Sequence, residues 1–431
     1  MNRYLLFLFA ASLLLSCSPA RQLAKTASQQ VLKVKELETA HIGITVFDPA
    51  TGKYLYNYQG DKYFVPASNI KIPTLYVAMK YLGDSLRGLQ YFEMDSQLYI
   101  RPTGDPTLLH RDYKNHPAFD FLKASAKKLA YVFPGWQSEV YGSGWAWNDY
   151  NAAYMAERSE MPVYGNTIMF RWSQPENKVQ GDVPFFRKQL NEKVNPGTTH
   201  VQVSRRRLDN VFDVTASGNA FTRAEIPFRT FENSRLLEDT LKKKWLVNVY
   251  PLAQAQYKTV YSHPTDSMLK PLMHRSDNFF AEQVLLMASS ELLGVMNEAR
   301  LIDTILKTDF KDLPQKPRWA DGSGLSRYNL FTPQDLVMIL NKIKNEFGME
   351  RTKNIFATGN EGTLTNYFKD LQGKFYAKTG TLSGVVALSG YLYTKKNRLL
   401  LVSVQVNNHQ TSATTVRRAV EQFVMKVYEM Y

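Results

Sequence analysis

The alternation of apolar and polar residues predicts β-strands at both ends of the chain. His41–Phe47 and Tyr54–Tyr58 are strand-like runs, and the segment between them, Asp48–Lys53, has the proline and glycine of a hairpin connection. Three further strand candidates, joined by short turns, lie near the other end at Phe375–Lys378, Val385–Thr394 and Leu399–Asn407. We therefore expect both ends of the chain to contribute to one antiparallel sheet.

Apolar residues at helical spacing predict helices packed on this sheet. One helix runs from about Ser68 to Leu82, and Val416–Tyr428 is a final amphipathic helix. Four more helical patterns, the last of which has Thr332 as its cap, occupy Asp266–Leu272, Phe279–Leu293, Glu298–Lys307 and Pro333–Phe347. The sequence therefore predicts an α/β fold, more fully an α+β sandwich with a helical lobe.

A long region separates the two halves of the predicted sheet. Residues from about 89 to 256 are richer in aromatic residues and arginine, and they include short β-like stretches such as Leu98–Ile100. Because 431 residues exceed the usual size of one hydrophobic core, we interpret 89–256 as an inserted, β-rich domain. The flanking segments, 41–88 and 257–431, then form the two parts of the sheet domain.

The start of the chain has the features of an export signal. A short basic end, Met1–Arg3, precedes an apolar run, Tyr4–Leu15, which is too short to span a bilayer as a helix. We predict a signal peptide over residues 1–16. The mature protein is therefore expected in the periplasm or another part of the cell envelope.

The end of this signal, Leu14–Cys17, resembles a bacterial lipobox, and Cys17 is the only cysteine in the chain. We predict that Cys17 carries a lipid that anchors the protein to a membrane, with residues 17–40 as a spacer. Two alternatives stay open. In the first, Cys17 is an ordinary residue of a cleaved signal peptide. In the second, residues 20–38 form the first helix of the fold.

Composition and charge narrow the choice of partners. Hydrophobic residues make up 44% of the chain and charged residues 21%, an ordinary balance for a globular protein. In an exported protein, the net charge of +14 suits an anionic envelope polymer or lipid surface, and export argues against nucleic acid. The alternative is that the charge serves solubility only.

A serine and a lysine three residues apart, Ser68 and Lys71, share one face of a predicted helix, so their side chains can touch. A serine hydroxyl becomes a good nucleophile when a neighbouring base takes its proton, and a lysine is such a base only when its pKa is lowered. Lowering a lysine pKa from about 10.4 to about 7 costs roughly 4–5 kcal/mol, so we expect a second cation nearby. Lys378 is the candidate.

Lys378 begins the motif Lys378-Thr379-Gly380-Thr381 at the end of a predicted strand. The ammonium group and the two threonine hydroxyls suit a substrate carboxylate, and Gly380 lets a ligand backbone lie against the sheet. A third motif, Ser276-Asp277-Asn278, precedes a predicted helix.

In this third motif, Ser276 is the candidate for passing a proton to a leaving amine. The Asn278 amide is suited to donate to a substrate carbonyl and to accept from Lys71.

The joint occurrence of Ser-x-x-Lys, Ser-Asp-Asn and Lys-Thr-Gly in this order resembles the pattern of penicillin-binding proteins and serine β-lactamases. From about His41 to the C-terminus, the chain is similar to the class C low-molecular-mass penicillin-binding proteins, the D-Ala-D-Ala carboxypeptidase/endopeptidase family. The stretches that add to this resemblance are Gly104–Leu108, Gly144–Tyr150, Asp321–Ser326, Gly362–Leu364 and Ala377–Gly384.

The resemblance implies a penicillin-binding-protein/serine β-lactamase-like transpeptidase fold, with an insertion between the first two motifs. It also implies that Ser68 attacks the D-Ala-D-Ala carbonyl of peptidoglycan stem peptides, with the N–H groups of Ser68 and Thr381 as the oxyanion hole, and that water releases the acyl-enzyme. β-Lactam antibiotics would acylate the same serine. This chemistry requires no cofactor or metal.

The sequence departs from the family pattern at two points. Pro73 lies inside the catalytic helix beyond Ser68 and Lys71, where we expect it to be tolerated. Ser68 and Ser276 are 208 positions apart, which is shorter than expected for the larger members of the family. Access of cross-linked substrates is therefore an open question.

Other functions and structural interpretations stay open. A β-lactamase would share the acylation but turn penicillin over, and a non-catalytic envelope scaffold would bind stem peptides without cleaving them. Scattered histidines and the lack of a Gly-x-Ser-x-Gly elbow give zinc proteases and α/β-hydrolases little support. Asp321–Leu325 suits a tight turn as well as substrate contact, and Trp145 and Trp147 are predicted to pack in the aromatic core of the inserted domain.

Overall fold

The computed structural model describes residues 19–249 and 255–431. The predicted signal peptide and the predicted lipid site, Cys17, lie outside the described residues. The chain divides into two compact units. Among the described residues, the first unit comprises those up to Ile72 together with Phe310–Trp319 and Asn329–Tyr431. The second comprises those from Pro73 to Asp309 and Ala320–Tyr328.

The first unit is built on a six-stranded antiparallel sheet to which both ends of the chain contribute, as predicted. The strands, in spatial order, are Ala357–Thr358, Phe375–Leu382, Val385–Tyr393, Leu399–Asn407, His41–Asp48 and Lys53–Tyr58. His41 pairs with Asn407, so that a strand from the start of the chain lies beside one from near its end. The two most apolar strands occupy the centre, where both faces of a strand are covered.

The α-helices of the first unit are Pro19–Ala27, Pro333–Phe347, Met349–Ile355 and Ala413–Met430. Pro333–Phe347 has the predicted bounds because Thr332 caps it. The Thr332 hydroxyl accepts from the Asp335 N–H at 3.0 Å, and the Asp335 carboxylate accepts from the Thr332 N–H at 3.1 Å. Leu23 and Val31, which lie within the predicted spacer 17–40, are buried in one core with Phe423 of the last helix. This part of the predicted spacer therefore belongs to the core of the first unit.

The second unit contains three sheets. The five-stranded sheet has the spatial order Trp245–Val249, Lys128–Val132, Gln97–Pro102, Ser85–Met94 and Lys258–Pro264. One three-stranded sheet has the spatial order Leu190–Val194, Phe212–Ala216 and Gln202–Arg205. The other has the spatial order Arg223–Pro227, Thr167–Ser173 and Lys178–Gly181. The region 89–256 is therefore rich in strands, while its boundaries as a domain stay a prediction.

The α-helices within the second unit are Pro117–Ala124, Asn233–Leu241, Thr265–His274, Asn278–Leu293 and Glu298–Lys307. The last three agree with the predicted helices to within two residues at each end. In the described parts of the chain, no helix has the combination of length and apolar character needed to cross a membrane. The mixture of helix and sheet in both units confirms the predicted α/β class.

The prediction that Trp145 and Trp147 pack in an aromatic core is wrong for Trp147, which is 67% exposed. Trp147 begins a short 3-10 turn, Trp147–Asp149, so the two rings do not share one buried face. Trp145 is half-buried and lies under the Arg158 guanidinium, whose Cζ is 5.1 Å from the ring centroid. Trp145 thus makes this cation–π contact in addition to an aromatic one, a T-shaped contact with Tyr141 at 6.2 Å between ring centroids.

Candidate active site

Ser68 lies in a short 3-10 helix, Ala67–Ile70, that leads directly into the α-helix Lys71–Tyr81. The predicted helix from Ser68 to Leu82 is thus divided into two helical types. Ala67 is buried and has a φ of 45°, a left-handed conformation that costs a non-glycine residue about 1–3 kcal/mol and is often found at functional sites. Pro73 lies in the first turn of the α-helix, where proline is tolerated.

The side chains of Ser68 and Lys71 are in contact. Lys71 Nζ is 3.2 Å from Ser68 Oγ, within hydrogen-bonding distance, and the Lys71 side chain is fully buried. The two residues are eclipsed at i and i+3 because the first of them belongs to a 3-10 turn. In the structure Lys71 Nζ donates to Ser68 Oγ. Once the amine is neutral, the same separation suits the reverse bond, from the hydroxyl to the amine, which is the arrangement of a nucleophile and its base.

Lys378 lies on the strand Phe375–Leu382 and is also fully buried. Its Nζ donates to the Thr379 carbonyl oxygen at 2.8 Å. Burial, and after it the positive charge of Lys71, hold the pKa of Lys378 well below its ordinary value. Within 19–249 and 255–431, no carboxylate lies close enough to Lys378 to raise that pKa.

The two lysines therefore form a coupled pair of buried amines. The lowered pKa predicted for Lys71 stays a prediction, and the pKa of Lys378, the expected second cation, is itself lowered by burial and by the charge of Lys71. When both amines are protonated, the two ammonium groups repel each other. Loss of one proton removes this repulsion, whether Lys71 or Lys378 releases it. The structure thus provides one neutral amine and one ammonium group at lower cost than two ammonium groups.

Gly380 lies against the turn that carries Ser68. A Cβ atom on Gly380 would be 2.7 Å from the Pro66 carbonyl oxygen and 3.0 Å from the Ser68 nitrogen. Both of these atoms belong to the backbone, which cannot move aside as a flexible side chain does. Only glycine therefore allows the strand and the Ser68 turn to approach this closely.

The threonine hydroxyls of the same motif each have a partner in the first unit. Thr379 Oγ1 donates to Thr363 Oγ1 at 2.7 Å, which brings the Gly362–Leu364 stretch beside the strand. Arg417 Nη2, from the last helix, donates to Thr381 Oγ1 at 2.7 Å. Arg417 could not be predicted from the sequence, because one arginine on an amphipathic helix carries no distinguishing pattern.

Two buried amides, also missed from the sequence, connect the Ser68 turn to the sheet. Asn69 Nδ2 donates to the Lys378 carbonyl oxygen at 2.9 Å. Gln405 Nε2 donates to Ser403 Oγ at 3.1 Å and lies 3.4 Å from Asn69 Oδ1. Gln405 could have been found from the sequence as a polar residue within the largely apolar run Leu399–Asn407.

The Ser276-Asp277-Asn278 motif lies in the second unit and forms a strained turn. Ser276 has a φ of 63°, in the left-handed region. Asp277 caps the following helix by accepting a backbone N–H of its first turn at 3.0 Å, and Asn278 Nδ2 donates to the Tyr154 carbonyl oxygen at 3.0 Å. The roles assigned to Ser276 and Asn278 stay predictions.

The Asp321 carboxylate organises a turn in the second unit. It is fully buried and accepts from the N–H of Gly324 at 2.9 Å, the N–H of Ser326 at 2.7 Å and Trp145 Nε1 at 2.9 Å. This supports the structural interpretation of a tight glycine-rich turn. Among the residues that the structure describes, no three His, Cys, Asp or Glu side chains are arranged to hold a metal ion.

Sequence comparison with known proteins gives a consistent result. The model of the D-Ala-D-Ala carboxypeptidase 3 (S13) family matches residues 23–427. A D-alanyl-D-alanine carboxypeptidase from Actinomadura sp. strain R39 is 26% identical, over 93% of this chain and 85% of the relative. The D-alanyl-D-alanine carboxypeptidase DacB from Haemophilus influenzae is 23% identical, over 91% of this chain and 92% of the relative.

Solved structures give the fold. Penicillin-binding protein 4 from Haemophilus influenzae has a TM-score of 0.72 at 18% identity, with 94% of this chain and 99% of that chain covered. A predatory endopeptidase from Bdellovibrio bacteriovorus has a TM-score of 0.51 at 15% identity, with 90% of this chain and 94% of that chain covered. The first match confirms the predicted penicillin-binding-protein-like fold.

Proposed function

The chain belongs to the D-Ala-D-Ala carboxypeptidase 3 (S13) family, and on this premise we propose that Ser68 is its nucleophile and Lys71 its general base. The protein is a serine D-Ala-D-Ala carboxypeptidase acting on peptidoglycan. One observation carries the assignment of residues. Lys71 Nζ lies 3.2 Å from Ser68 Oγ, with a second buried lysine, Lys378, electrostatically coupled to it.

In the proposed first step, Ser68 Oγ attacks the carbonyl carbon of the D-Ala-D-Ala bond while its proton passes to neutral Lys71. The C–N bond of the tetrahedral intermediate then breaks, and D-alanine leaves as the amine after it receives a proton. The acyl group stays on Ser68 until water displaces it. This sequence needs a neutral Lys71 at the moment of attack.

The terminal carboxylate of the substrate supplies that condition. We assign it to Lys378, whose buried amine has no carboxylate close enough to favour its charged form within the described parts of the chain. A bound carboxylate favours the ammonium form of Lys378, and repulsion then favours neutral Lys71. Substrate binding therefore places the proton on one lysine and prepares the other as the base.

The oxyanion hole is proposed to consist of the N–H groups of Ser68 and Thr381. The close approach of Gly380 to the Ser68 nitrogen supports this assignment, because it sets the strand backbone beside the Ser68 turn. Two backbone donors held by the sheet and the turn need no reorganisation as negative charge develops on the carbonyl oxygen.

Gly380→Ala is expected to slow acylation by fluorescent penicillin by about 100-fold, because the added Cβ must displace the Ser68 backbone and an oxyanion donor. The measurement is the rate of labelling at several penicillin concentrations. Gly218→Ala is the matched control, since its Cβ would meet only Trp172 Nε1, at 4.0 Å. A Gly380→Ala protein that is labelled at the wild-type rate contradicts the proposed close approach.

Ser276 and Asn278 are proposed, on the motif alone, to pass a proton to the leaving amine and to bind a substrate carbonyl. The left-handed φ of Ser276 is compatible with a role of this kind, since backbone strain is concentrated at functional sites. Ser276→Ala would then slow release of D-alanine more than it slows acylation by a β-lactam, whose leaving group stays attached. Equal effects on both reactions would count against this role.

Acylation by β-lactams is proposed for this chain too. Penicillin-binding protein 4 from Haemophilus influenzae has been solved in complex with a β-lactam, and the same serine chemistry opens a β-lactam ring. A long-lived adduct distinguishes the peptidase from a β-lactamase, which would turn the drug over. A scaffold without catalytic activity would form no adduct.

The enzyme acts in the cell envelope, where peptidoglycan lies. We propose that it is held at a membrane by a lipid on Cys17 after removal of the signal peptide. The lipobox resemblance of Leu14–Cys17 supports this proposal. An unmodified N-terminal peptide in the mass spectrum of the mature protein would contradict it.

Digestion of defined muropeptides tests the proposed function. We expect the purified enzyme to remove the terminal D-alanine from monomeric pentapeptides, identified by the mass of the products. Cross-linked dimers in the same assay show whether the enzyme is also an endopeptidase. If the protein melts cooperatively, and is therefore folded, but cleaves neither substrate, the proposed peptidase function is wrong.

A further inference from the structure

The second unit contains a cavity of about 490 Å³ that the proposed mechanism does not use. All of its lining residues fall between Tyr131 and Ser234. Its volume is in the range of small-molecule sites, about 300–1,000 Å³. Aromatic and apolar side chains form much of the wall, from Tyr131, Trp136, Val140, Met161 and Phe231.

The two arginines in the wall are both matched by carboxylates. Arg158 forms ion pairs with Glu282 at 2.6 Å and Glu298 at 2.7 Å, and it is almost completely buried. Arg229 Nε is 2.9 Å from a carboxylate oxygen of Glu157. Neither guanidinium therefore needs a ligand to balance its charge.

Glu160 is different, because its carboxylate has no cationic partner. None of the basic side chains in the described residues forms an ion pair with it, and its hydrogen-bond donor is the Tyr131 hydroxyl. Burial raises the pKa of Glu160, against the opposing effect of the Tyr131 hydrogen bond. A half-buried carboxylate of this kind is stabilised by any cation that enters the cavity.

We propose that this cavity binds an organic primary ammonium group carried on an apolar chain, with Glu160 as the counter-ion. Tyr131 and Trp136 contribute aromatic surface that suits a cation as well as an alkyl chain, whereas the Phe231 ring already has the Arg229 guanidinium carbon 5.7 Å from its centroid. Val140 and Met161 add apolar surface. Anionic ligands are disfavoured by Glu160, and a divalent metal would find too few ligands, since Glu157 is already engaged by Arg229.

Calorimetric titration of the full mature protein with hexylammonium chloride tests this site directly. We expect saturable binding that is weaker by about tenfold or more in Glu160→Gln, because a charge-assisted hydrogen bond is replaced by a neutral one. 1-Hexanol, with the same chain and no charge, is expected to bind more weakly to the wild type. Thermal melting of Glu160→Gln shows whether the variant is folded.

Glu139→Gln is the matched control, since Glu139 is an exposed carboxylate of the same unit. Its affinity for hexylammonium should equal that of the wild type. Equal binding of hexylammonium by wild type and Glu160→Gln overturns the proposal, and so does a lack of saturable binding. If Glu160→Gln does not fold, the comparison with 1-hexanol on the wild type decides. None of these outcomes depends on Ser68, so the test is independent of the proposed peptidase mechanism.

Discussion

Ser68→Ala is expected to abolish covalent labelling of the purified protein by fluorescent penicillin and to lower D-alanine release by roughly 10⁴-fold or more. The acyl-enzyme requires the Oγ atom, and no other group in the proposed mechanism replaces it. The oxyanion donors and Lys378 remain in the variant, so noncovalent substrate binding is expected to persist. Gel fluorescence and the rate of D-alanine release provide the two measurements.

The chain offers a matched control for this substitution. The Ser-x-x-Lys spacing also occurs at Ser267 and Lys270, in the helix Thr265–His274. Ser267 Oγ donates to the Pro264 carbonyl oxygen at 2.7 Å, as expected of a residue in a helix's first turn. Ser267→Ala should therefore be labelled like the wild type, and labelling that survives Ser68→Ala would falsify the assignment of the nucleophile.

The three Ser-x-x-Lys matches show what the sequence can and cannot separate. Spacing alone does not distinguish Ser68 from Ser125, which is followed by Lys128, or from Ser267. The Ser-Asp-Asn and Lys-Thr-Gly motifs downstream made Ser68 the candidate. The structure adds a physical distinction, since Lys71 is fully buried against Ser68, whereas the Ser125 hydroxyl accepts from the Lys127 N–H at 3.2 Å.

The central strands of the first unit's sheet could be predicted because most of their residues are apolar and buried. Leu399–Asn407 was predicted with its observed bounds, and Pro333–Phe347 was predicted from its cap. The strand Ala357–Thr358 was missed because two residues carry no periodicity. The local sequence pattern therefore identified helices with a capping residue and strands with a long buried run of apolar residues.

Contacts between distant parts of the chain could not be predicted in the same way. The hydrogen bond from Asn69 to the Lys378 carbonyl joins residues more than 300 positions apart. The fit of Gly380 against the Ser68 nitrogen depends on the sheet's position relative to one turn. The motif supplied the residue types, but their approach follows from packing of the whole first unit.

The lowered pKa of Lys378 could not be predicted from the sequence for the same reason. The sequence predicts a lowered pKa at Lys71, beside Ser68, and treats Lys378 only as the second cation. The structure shows that Lys378 is also fully buried, and its burial is the larger cause of its lowered pKa. Sequence spacing carries no information about the solvent exposure of the second amine.

The coupled lysines predict a characteristic pH dependence. Acylation requires a neutral amine beside Ser68, so the rate is expected to rise with pH as the pair loses one proton. Because the pKa of Lys378 lies well below its ordinary value, this rise should occur well below the titration range of an exposed lysine. The measurement is the acylation rate constant against pH with a β-lactam that does not itself titrate.

Lys71→Arg is expected to lower the acylation rate by about 1,000-fold while keeping a positive charge next to Ser68. A guanidinium stays protonated in a protein and does not act as a base, so the proton of Ser68 has no acceptor. The pH-dependent rise of the wild type should be absent from the residual rate. Noncovalent affinity for a D-Ala-D-Ala peptide should change much less, because Lys378 is assigned to the carboxylate.

Two further variants make the Lys71 prediction decisive. Lys71→Met is neutral and of similar length, so it should also fail to acylate. It separates the loss of the base from any disturbance of the buried site by the larger guanidinium of Lys71→Arg. Lys270→Arg, the same change at the other Ser-x-x-Lys match, should be acylated at the wild-type rate. If Lys71→Arg retained rapid acylation, the charge of residue 71 rather than its basicity would matter. Lys378 would then be the remaining candidate for the amine that takes the proton of Ser68.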